Sequence, residues 1–188
     1  MKRILLPVLA AGASLLALSA HAGQDAGQID FKGELTAQTC AVDVDGDAAQ
    51  PAIVTLPTIN ANLLSAPGST AANRSFAINL KGCTEQGGKA LAFFEYNAAF
   101  VDFTDGTLKN VLPSVAGNAT LVNLRLKDGA TGNPIVVGSG AQLTTTTAQT
   151  VAADGSATLP YSVEYISPLG GATAGKVKGS VTYSIAYN

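Results

Sequence analysis

The sequence is poor in the side chains that most often carry catalysis and metal binding. It has no tryptophan, its only methionine is Met1, and its only histidine is His21, which lies in a segment that we expect to be removed on export. The mature chain would then have no imidazole, which excludes a Ser-His-Asp or Cys-His nucleophile system and a conventional zinc site. We predict that the protein is not an enzyme and binds no metal, cofactor or small-molecule substrate.

Charge is also scarce, since Asp, Glu, Lys and Arg together make up 13% of the chain. Of its 11 basic residues, Lys2 and Arg3 fall in the segment to be removed, which leaves nine against 13 acidic residues. The basic residues form no cluster, so we expect no nucleic-acid partner. After residue 22 the sequence has no second apolar run of membrane-spanning length.

The N-terminal residues have the three parts of a secretory signal peptide. A basic start, residues 1–3, precedes an apolar stretch, residues 4–18, that is short for a membrane span. Ala20-His21-Ala22 has the small residues of a cleavage site, so we expect cleavage before Gly23 and a mature chain of about 166 residues. The alternative is an uncleaved membrane anchor.

Cys40 and Cys83 are the only cysteines. Export would place them in an oxidising compartment, where a structural disulfide is the default. Closing the loop between them would stabilise the fold by roughly 4 kcal/mol in the chain-entropy model. A catalytic redox pair is disfavoured because such pairs usually lie close together in sequence.

The last residues of the chain alternate between the two faces of a strand without interruption. One face carries Val177, Gly179, Val181, Tyr183, Ile185 and Tyr187. This period of two predicts a β-strand with one buried face. A second alternating segment, near the other end, carries Gly27, Ile29, Phe31, Gly33 and Leu35. Two such strands at the chain ends favour pairing with distant segments or with another molecule.

Shorter strand-like segments fill the middle of the chain, and helical periodicity is hard to find. They span residues 39–44, 52–56, 75–81, 90–96, 119–127, 135–137 and 157–166. Turn residues separate them, and the 119–127 segment shifts its phase after Asn123. Residues 60–73 are interpreted as a surface connection with one helical turn, and residues 144–147 as a loop rather than an edge strand. The pattern predicts one antiparallel β-sandwich with Greek-key connections.

Four motifs then occur in a fixed order. They are the opening segment 27–35, the cysteine surroundings 40–42 and 76–83, the hairpin 124–135, and an ending with Gly175 fourteenth from the end and Tyr187 penultimate. In this order, behind a signal peptide, they resemble fimbrial (pilus) subunits of the chaperone–usher class, closest to the major pilins of type 1 fimbriae. The resemblance covers the whole mature chain. One departure is Leu56-Pro57, where the family often has a glycine.

The resemblance implies a fold and a division of the chain. Subunits of this family are all-β, immunoglobulin-like Greek-key sandwiches that lack their final strand and are completed by donor-strand exchange. It therefore implies a signal peptide at 1–22, an N-terminal donor-strand extension at 23–33 and a pilin immunoglobulin-like domain at 34–188. The implied partners are a periplasmic chaperone, an outer-membrane usher and identical or homologous pilin subunits. The implied location is a fimbria on the cell surface, reached through the periplasm.

The same resemblance assigns roles to particular residues. The donor strand would carry Gly27, Ile29 and Phe31, and the disulfide would join Cys40 to Cys83. The groove that receives a donor strand, and that chaperone and subunits recognise, would be formed by Gly175, Val177, Val181, Tyr183, Ile185 and Tyr187. The predicted function is thus that of a structural subunit that polymerises non-covalently for surface adhesion.

Other functions stay open at this point. A minor adaptor pilin keeps the fold but changes the role. A monomeric secreted carbohydrate-binding sandwich would need exposed aromatic platforms, and a glycosidase would need a carboxylate pair, which does not stand out. Asp43, Asp45 and Asp47 resemble the start of a calcium loop, but the glycine is misplaced and no Glu follows at the twelfth position.

Overall fold

The computed structural model describes residues 40–84 and 86–188. The predicted signal peptide and the predicted donor residues Gly27, Ile29 and Phe31 lie outside the described residues. Within the described ranges, no helix is long and apolar enough to cross a membrane.

The described chain is built almost entirely from β-strands. In chain order the elements are β1 (Ala41–Val44), a 3₁₀ turn (Ala61–Leu64), β2 (Ser69–Lys81), β3 (Lys89–Phe94), β4 (Leu108–Lys109), β5 (Asn123–Asp128), the short helix α1 (Gln142–Thr145), β6 (Gln149–Thr150), β7 (Ala157–Ser167) and β8 (Tyr183–Tyr187). The alternating burial along β5 and β7 explains why these sequences form strands, since side chains of period two fit a sheet with one buried face.

The strands form two sheets that enclose one main core. One sheet has five strands in the order β1-β2-β7-β5-β4, and the other has three in the order β6-β3-β8. All the strand ladders are antiparallel. The pairs β1–β2 and β4–β5 are consecutive in sequence, and the other neighbours are separated by intervening strands. Within the described ranges this is an immunoglobulin-like sandwich that lacks its last strand, which confirms the predicted fold class.

Tyr161 of β7 ties the two sheets together at the centre of the core. Its ring makes an edge-to-face contact with Phe94 of β3, with centroids 5.0 Å apart. Its hydroxyl oxygen accepts a 2.8 Å hydrogen bond from the main-chain N–H of Ala92. Burial raises the pKa of Tyr161 to about 12, so the phenol stays neutral at ordinary pH.

The far side of β3, away from β8, is closed by side chains of the same chain. β6 pairs with only the first two residues of β3. Beyond them, the Tyr161 hydroxyl accepts the hydrogen bond from the N–H of Ala92. The side-chain amide of Gln142 then accepts from the N–H of Phe94 and donates to its carbonyl, both at 3.0 Å. Gln142 is buried, so it acts as a substitute for one residue of a neighbouring strand.

This contact explains why the loop predicted at residues 144–147 is only half correct. Thr144 and Thr145 belong to α1, whereas Thr146 and Thr147 lie outside it. The start of the helix is held by Gln142, and the residues after the helix are held by buried Asp128, whose carboxylate accepts from the N–H and hydroxyl of Thr147 at 3.1 and 2.7 Å. Polar contacts of this kind leave no hydrophobic period in the sequence.

Several strand boundaries also differ from the prediction, and residues 135–137, predicted as a strand, form none. β2 begins at Ser69 and not at Ser75, because a bulge between Ala71 and Arg74, with φ +60° at Ala72, interrupts the period. The predicted 60–73 connection is therefore correct in its helical turn and wrong from Ser69. The strand predicted at 119–127 starts only at Asn123 and pairs in regular register, so it contains no phase shift, and Leu121, with φ +56°, precedes it.

Candidate functional site: a groove along the last strand

Among the described residues, β8 pairs through its main chain on one side only. It is the end strand of its sheet, and its partner is β3. Lys89 and Asn188 exchange two hydrogen bonds, and Glu95 donates to Thr182 at the other end of the ladder. Because bonded and non-bonded pairs alternate in an antiparallel ladder, the N–H and C=O groups of Tyr183 and Ile185 point away from β3. In the described part of the chain, no strand lies on that side.

The facing wall of the groove is the extended segment of residues 51–59. Ala52, Val54 and Leu56 pack against the core, while the residues between them are exposed. This alternation led us to predict a strand at 52–56. The chain is alternating there, but no residue of 51–59 makes a backbone hydrogen bond to any described residue. The segment has the side-chain pattern of a strand, but it has no ladder partner in the described part of the chain.

A groove runs between residues 51–59 and the stretch that leads into β8. We call it the edge groove. Its wide section, about 900 Å³, lies beside residues 172–180, and its narrow section, about 560 Å³, lies beside residues 180–185. The two sections share Pro51 and Ser180, so they form one channel. Apolar side chains such as Leu124 and Tyr165 line the wide section.

The predicted groove residues line this channel, except Tyr187, which lies at its end beside Cys40. Each of the five side chains is partly buried and packs against the main core: Val177, Val181, Tyr183, Ile185 and Tyr187. Only residues 183–187 form a regular strand, because residues 176 and 178 bond instead to the 110–119 region. Burial raises the pKa of Tyr183, whose ring lies 6.4 Å from that of Phe94.

Gly175 lies where two backbones come close together. Its φ of +154° disfavours other residues, and a Cβ there would overlap the carbonyl carbon of Asn118. The neighbouring Lys176 donates to Gly117 and accepts from Ala119 at 2.9 and 3.0 Å. The structure therefore gives Gly175 a packing role, and its predicted role in chaperone recognition stays a prediction.

Gly179, which the sequence placed on the strand face without a role, belongs to the same close packing. A Cβ at this position would lie 2.8 Å from the Leu124 side chain, in the wide section. Leu124, Tyr165 and the 51–59 wall were likewise not predicted as site residues. The sequence feature that could have identified them is the alternation at 52, 54 and 56, which indicates a segment that faces the same core as the last strand.

The disulfide between Cys40 and Cys83 is present, with Cα atoms 4.4 Å apart. It joins the start of β1 to the residues after β2. Cys40 also lines the narrow section, and its Sγ lies 2.9 Å from the hydroxyl of Tyr187. The contact between Cys40 and Tyr187 therefore places the beginning of the described chain next to the end of β8, and the disulfide ties this beginning to the residues after β2.

The carboxylates of the predicted calcium alternative are engaged in the β1 turn. Asp43 accepts from Asn79 and Lys81 at 2.7 and 2.9 Å, and these contacts lower its pKa. Asp45 accepts from the N–H of Ala77 at 2.8 Å. Among the described residues, no group of three or more His, Cys, Asp or Glu side chains is arranged to hold a metal ion.

Comparison with known proteins gives consistent matches. Residues 56–188 match the family described as "FimA: Type-1 fimbrial protein, A". The chain is 38% identical over 164 residues to the "Major fimbrial subunit SMF-1" of Stenotrophomonas maltophilia (strain K279a), covering 86% of this chain and 92% of that protein. It is 35% identical over 189 residues to the "F17 fimbrial protein" of Escherichia coli, covering 98% and 97%.

A solved structure supports the fold. A chain from a structure of a chaperone–usher pilus matches with a TM-score of 0.56 and 17% sequence identity, covering 88% of this chain and 97% of that chain. At this level of identity the match concerns the fold alone.

Proposed function

The chain belongs to the type-1 fimbrial protein family, and on that premise we propose that it polymerises by inserting its N-terminal segment into the edge groove of a neighbouring copy. Proteins of this family are structural subunits rather than enzymes, and they are exported to the cell surface as components of fimbriae. The proposal adds the joining mechanism and its residues to that shared role. Adhesion to surfaces is the proposed task of the assembled fibre.

The observation that carries the proposal is the outward-pointing main chain of β8 beside an apolar channel. An added strand would bond to Tyr183 and Ile185 on one side and to residues 51–59 on the other. Main-chain hydrogen bonds supply affinity in strand addition, and side-chain pockets supply specificity. The narrow section of the edge groove offers the main-chain groups, and the wide section offers the larger apolar pocket.

The proposed donor has the matching pattern. Gly27, Ile29 and Phe31 share one face of the alternating N-terminal segment. Burying Ile29 and Phe31 against the channel would contribute roughly 2 kcal/mol each by area. Gly27 has no side chain, so two backbones can approach closely at that position.

The proposal extends to partners that act before assembly. A groove with an apolar floor and an open strand edge exposes a newly exported subunit to aggregation. We expect a periplasmic chaperone to cover it and an outer-membrane usher to exchange the chaperone for the next subunit. The chaperone–usher pilus to which the fold is similar supports this expectation. Gly175, Val177, Val181, Tyr183, Ile185 and Tyr187 are the proposed recognition surface.

The test is complementation by a peptide. The mature chain, refolded alone, is titrated with a synthetic peptide of residues 24–35 while thermal unfolding is followed. At a peptide concentration 100 times the Kd, linkage predicts about 2.7 kcal/mol of added stability, a rise in Tm of roughly 5–10 °C. Polymerisation should stop at the same time.

The matched control is the same peptide with Ile29→Asn and Phe31→Asn, which keeps the backbone and removes the apolar face. It should neither raise the Tm nor block polymerisation. If both peptides act alike, or if neither has an effect, insertion into the edge groove is refuted.

A further inference from the structure

Three exposed leucines gather at one end of the molecule. Leu63 is 58% exposed, Leu121 is 51% exposed and Leu169 is 76% exposed. They lie on three chain segments that contact one another, and we call them the mouth leucines. Exposed apolar clusters of this kind are more often binding sites than isolated surface leucines are.

Short contacts hold these segments in place. The hydroxyl of Ser167 donates to the carbonyl of Leu121 at 2.6 Å, and the N–H of Gly171 donates to the carbonyl of Ser65 at 3.0 Å. A Cβ on Gly171 would lie 3.8 Å from the Leu121 side chain. The mouth leucines are therefore presented by bonded turns.

The mouth leucines border the wide section of the edge groove. The sequence neighbours of Leu63 and Leu121, which are Leu64 and Val122, line that section, as does Ala172. Leu64 and Val122 belong to a small second core that reaches the channel wall through Val177. The cluster is thus continuous with the proposed subunit interface.

The direction of the donor strand places the domain that donates it near the wide section of the edge groove. All strand ladders of the described chain are antiparallel, and antiparallel pairing is slightly the more stable per residue. A donor antiparallel to β8 has its C-terminal end beside residues 177–181, in the wide section. Leu35, the last residue of the alternating segment, would then emerge next to the mouth leucines.

The chain that follows is too short to place the donating domain elsewhere. Five residue steps separate Leu35 from Cys40, where the described domain begins, so the reach is at most about 18 Å. A tether of this length gives the donating domain a high effective concentration at the mouth. A second copy of the chain is therefore the occupant that the geometry favours.

We propose that the mouth leucines bind the folded domain of the copy whose N-terminal segment fills the groove. This inference rests on the proposed function. Each junction would then have two contacts, a donor strand in the edge groove and a domain against its mouth. The second contact would fix the angle between subunits, which a strand and a short tether alone would leave variable.

The test compares two samples of the full mature chain. Polymerisation with peptide 24–35 at a concentration too low to fill every groove yields peptide-filled single copies and short assemblies, from which two-copy assemblies are isolated by size. Hydroxyl-radical footprinting then reports the exposure of each leucine. Because the peptide fills the groove in the reference sample, any added protection comes from the neighbouring domain.

We expect the mean oxidation rate of Leu63, Leu121 and Leu169 to fall about twofold in the two-copy assembly, because only the copy whose groove holds the neighbour's segment has its mouth covered by an interface. Phe103 and Val136, which are 83% and 51% exposed at other loops, serve as the internal control and should keep their rates. Unchanged leucines in a two-copy assembly would overturn the inference and leave the proposed function standing. Absence of peptide binding and of any assembly would instead refute the proposed function.

A variant supplies the second measurement. Leu121→Asn with Leu169→Asn should leave the Tm rise with peptide 24–35 unchanged and should shorten the lifetime of the two-copy assembly by about tenfold, since interface changes act mainly on dissociation. The matched variant Phe103→Asn with Val136→Asn should keep the lifetime. Equal lifetimes in both variants would contradict the inference.

Discussion

The outer edges of β3 and β8 differ in how their main-chain N–H and C=O groups are partnered. On the far side of β3, Ala92 and Phe94 turn their main-chain groups toward Tyr161 and Gln142 of the same chain. On the far side of β8, Tyr183 and Ile185 turn theirs toward a channel in which the described chain has no strand. A strand edge whose main-chain groups are bonded to side chains cannot accept another strand. A strand edge that faces a groove with no strand from the described residues can accept one.

The difference teaches how the chain restricts strand addition to one place. The closing groups on the β3 side are buried and specific, so they block pairing without extending the sheet. The β8 side keeps its apolar lining and its backbone groups unpaired by described residues. Substitutions that change only the β3 side or only the β8 side test this difference, and their expected effects range from the loss of fibres to a small loss of affinity.

The largest effect should come from the donor to the β8 side. Ile29→Asn with Phe31→Asn removes roughly 4 kcal/mol of apolar burial, which corresponds to about a thousandfold in the stability of each junction. Fibres should be absent in electron micrographs, and the chain should elute as single copies or aggregates. Asp30→Asn with Lys32→Gln, on the opposite face, is the matched control and should still form fibres.

On the closed side, Gln142→Leu should destabilise the fold without touching assembly. The substitution keeps the volume but leaves the N–H of Phe94 buried without a partner, at a cost of about 1–3 kcal/mol. Denaturant unfolding of the peptide-filled chain measures this loss. Leu143→Gln, at the exposed neighbouring residue, should change stability little, and a change in peptide affinity for Gln142→Leu would contradict the separation of the two sides.

Acid should also loosen the closed side. Burial alone would raise the pKa of Asp128, but hydrogen bonds from Thr147, Ala130 and Thr131 outweigh it and lower the pKa. Because the folded pKa lies below the unfolded value, this stabilisation is complete above pH 4 or so and is lost as the pH falls further. Asp128→Asn should flatten the acid limb of the stability curve, and an unchanged limb would show that other carboxylates dominate.

The smallest effect should come from the end of β8. Tyr187→Phe removes the hydroxyl that contacts the Cys40 sulfur, and sulfur makes only weak hydrogen bonds. We expect a loss of less than about 1 kcal/mol, seen as a slightly weaker affinity for peptide 24–35. Tyr96→Phe, at an exposed tyrosine, is the control and should bind the peptide as the unaltered chain does.

Local periodicity made much of this architecture predictable. The strand at 157–166 and the last strand repeat apolar residues at every second position, and the structure has β7 and β8 there. The disulfide followed from two cysteines and a signal peptide. The groove residues 177–187 were predictable as a face because a strand buries alternate side chains whatever its partner is.

The rest depended on contacts that leave no period. The cap at Gln142 is a single polar residue that meets Phe94 across 48 positions. β2 continues past its bulge at Ala72, where the alternation fails. The alternation at 52–56 was read correctly, but the segment is not a paired strand in the described chain. Sequence alone does not show whether an alternating segment has a strand partner. The partner of that segment is, on our proposal, in another molecule.

The disulfide has a consequence for how copies join. It fixes Cys40 beside Tyr187, at the opposite end of the channel from the wide section. Val177 and Ile185 are eight residues apart, about 26 Å along a strand, which exceeds the reach of about 18 Å between Leu35 and Cys40. On our proposal, a donor that ends beside Val177 therefore fills the groove of another copy. A contact of this kind joins two different surfaces of the chain, so every junction in a fibre would have the same polarity.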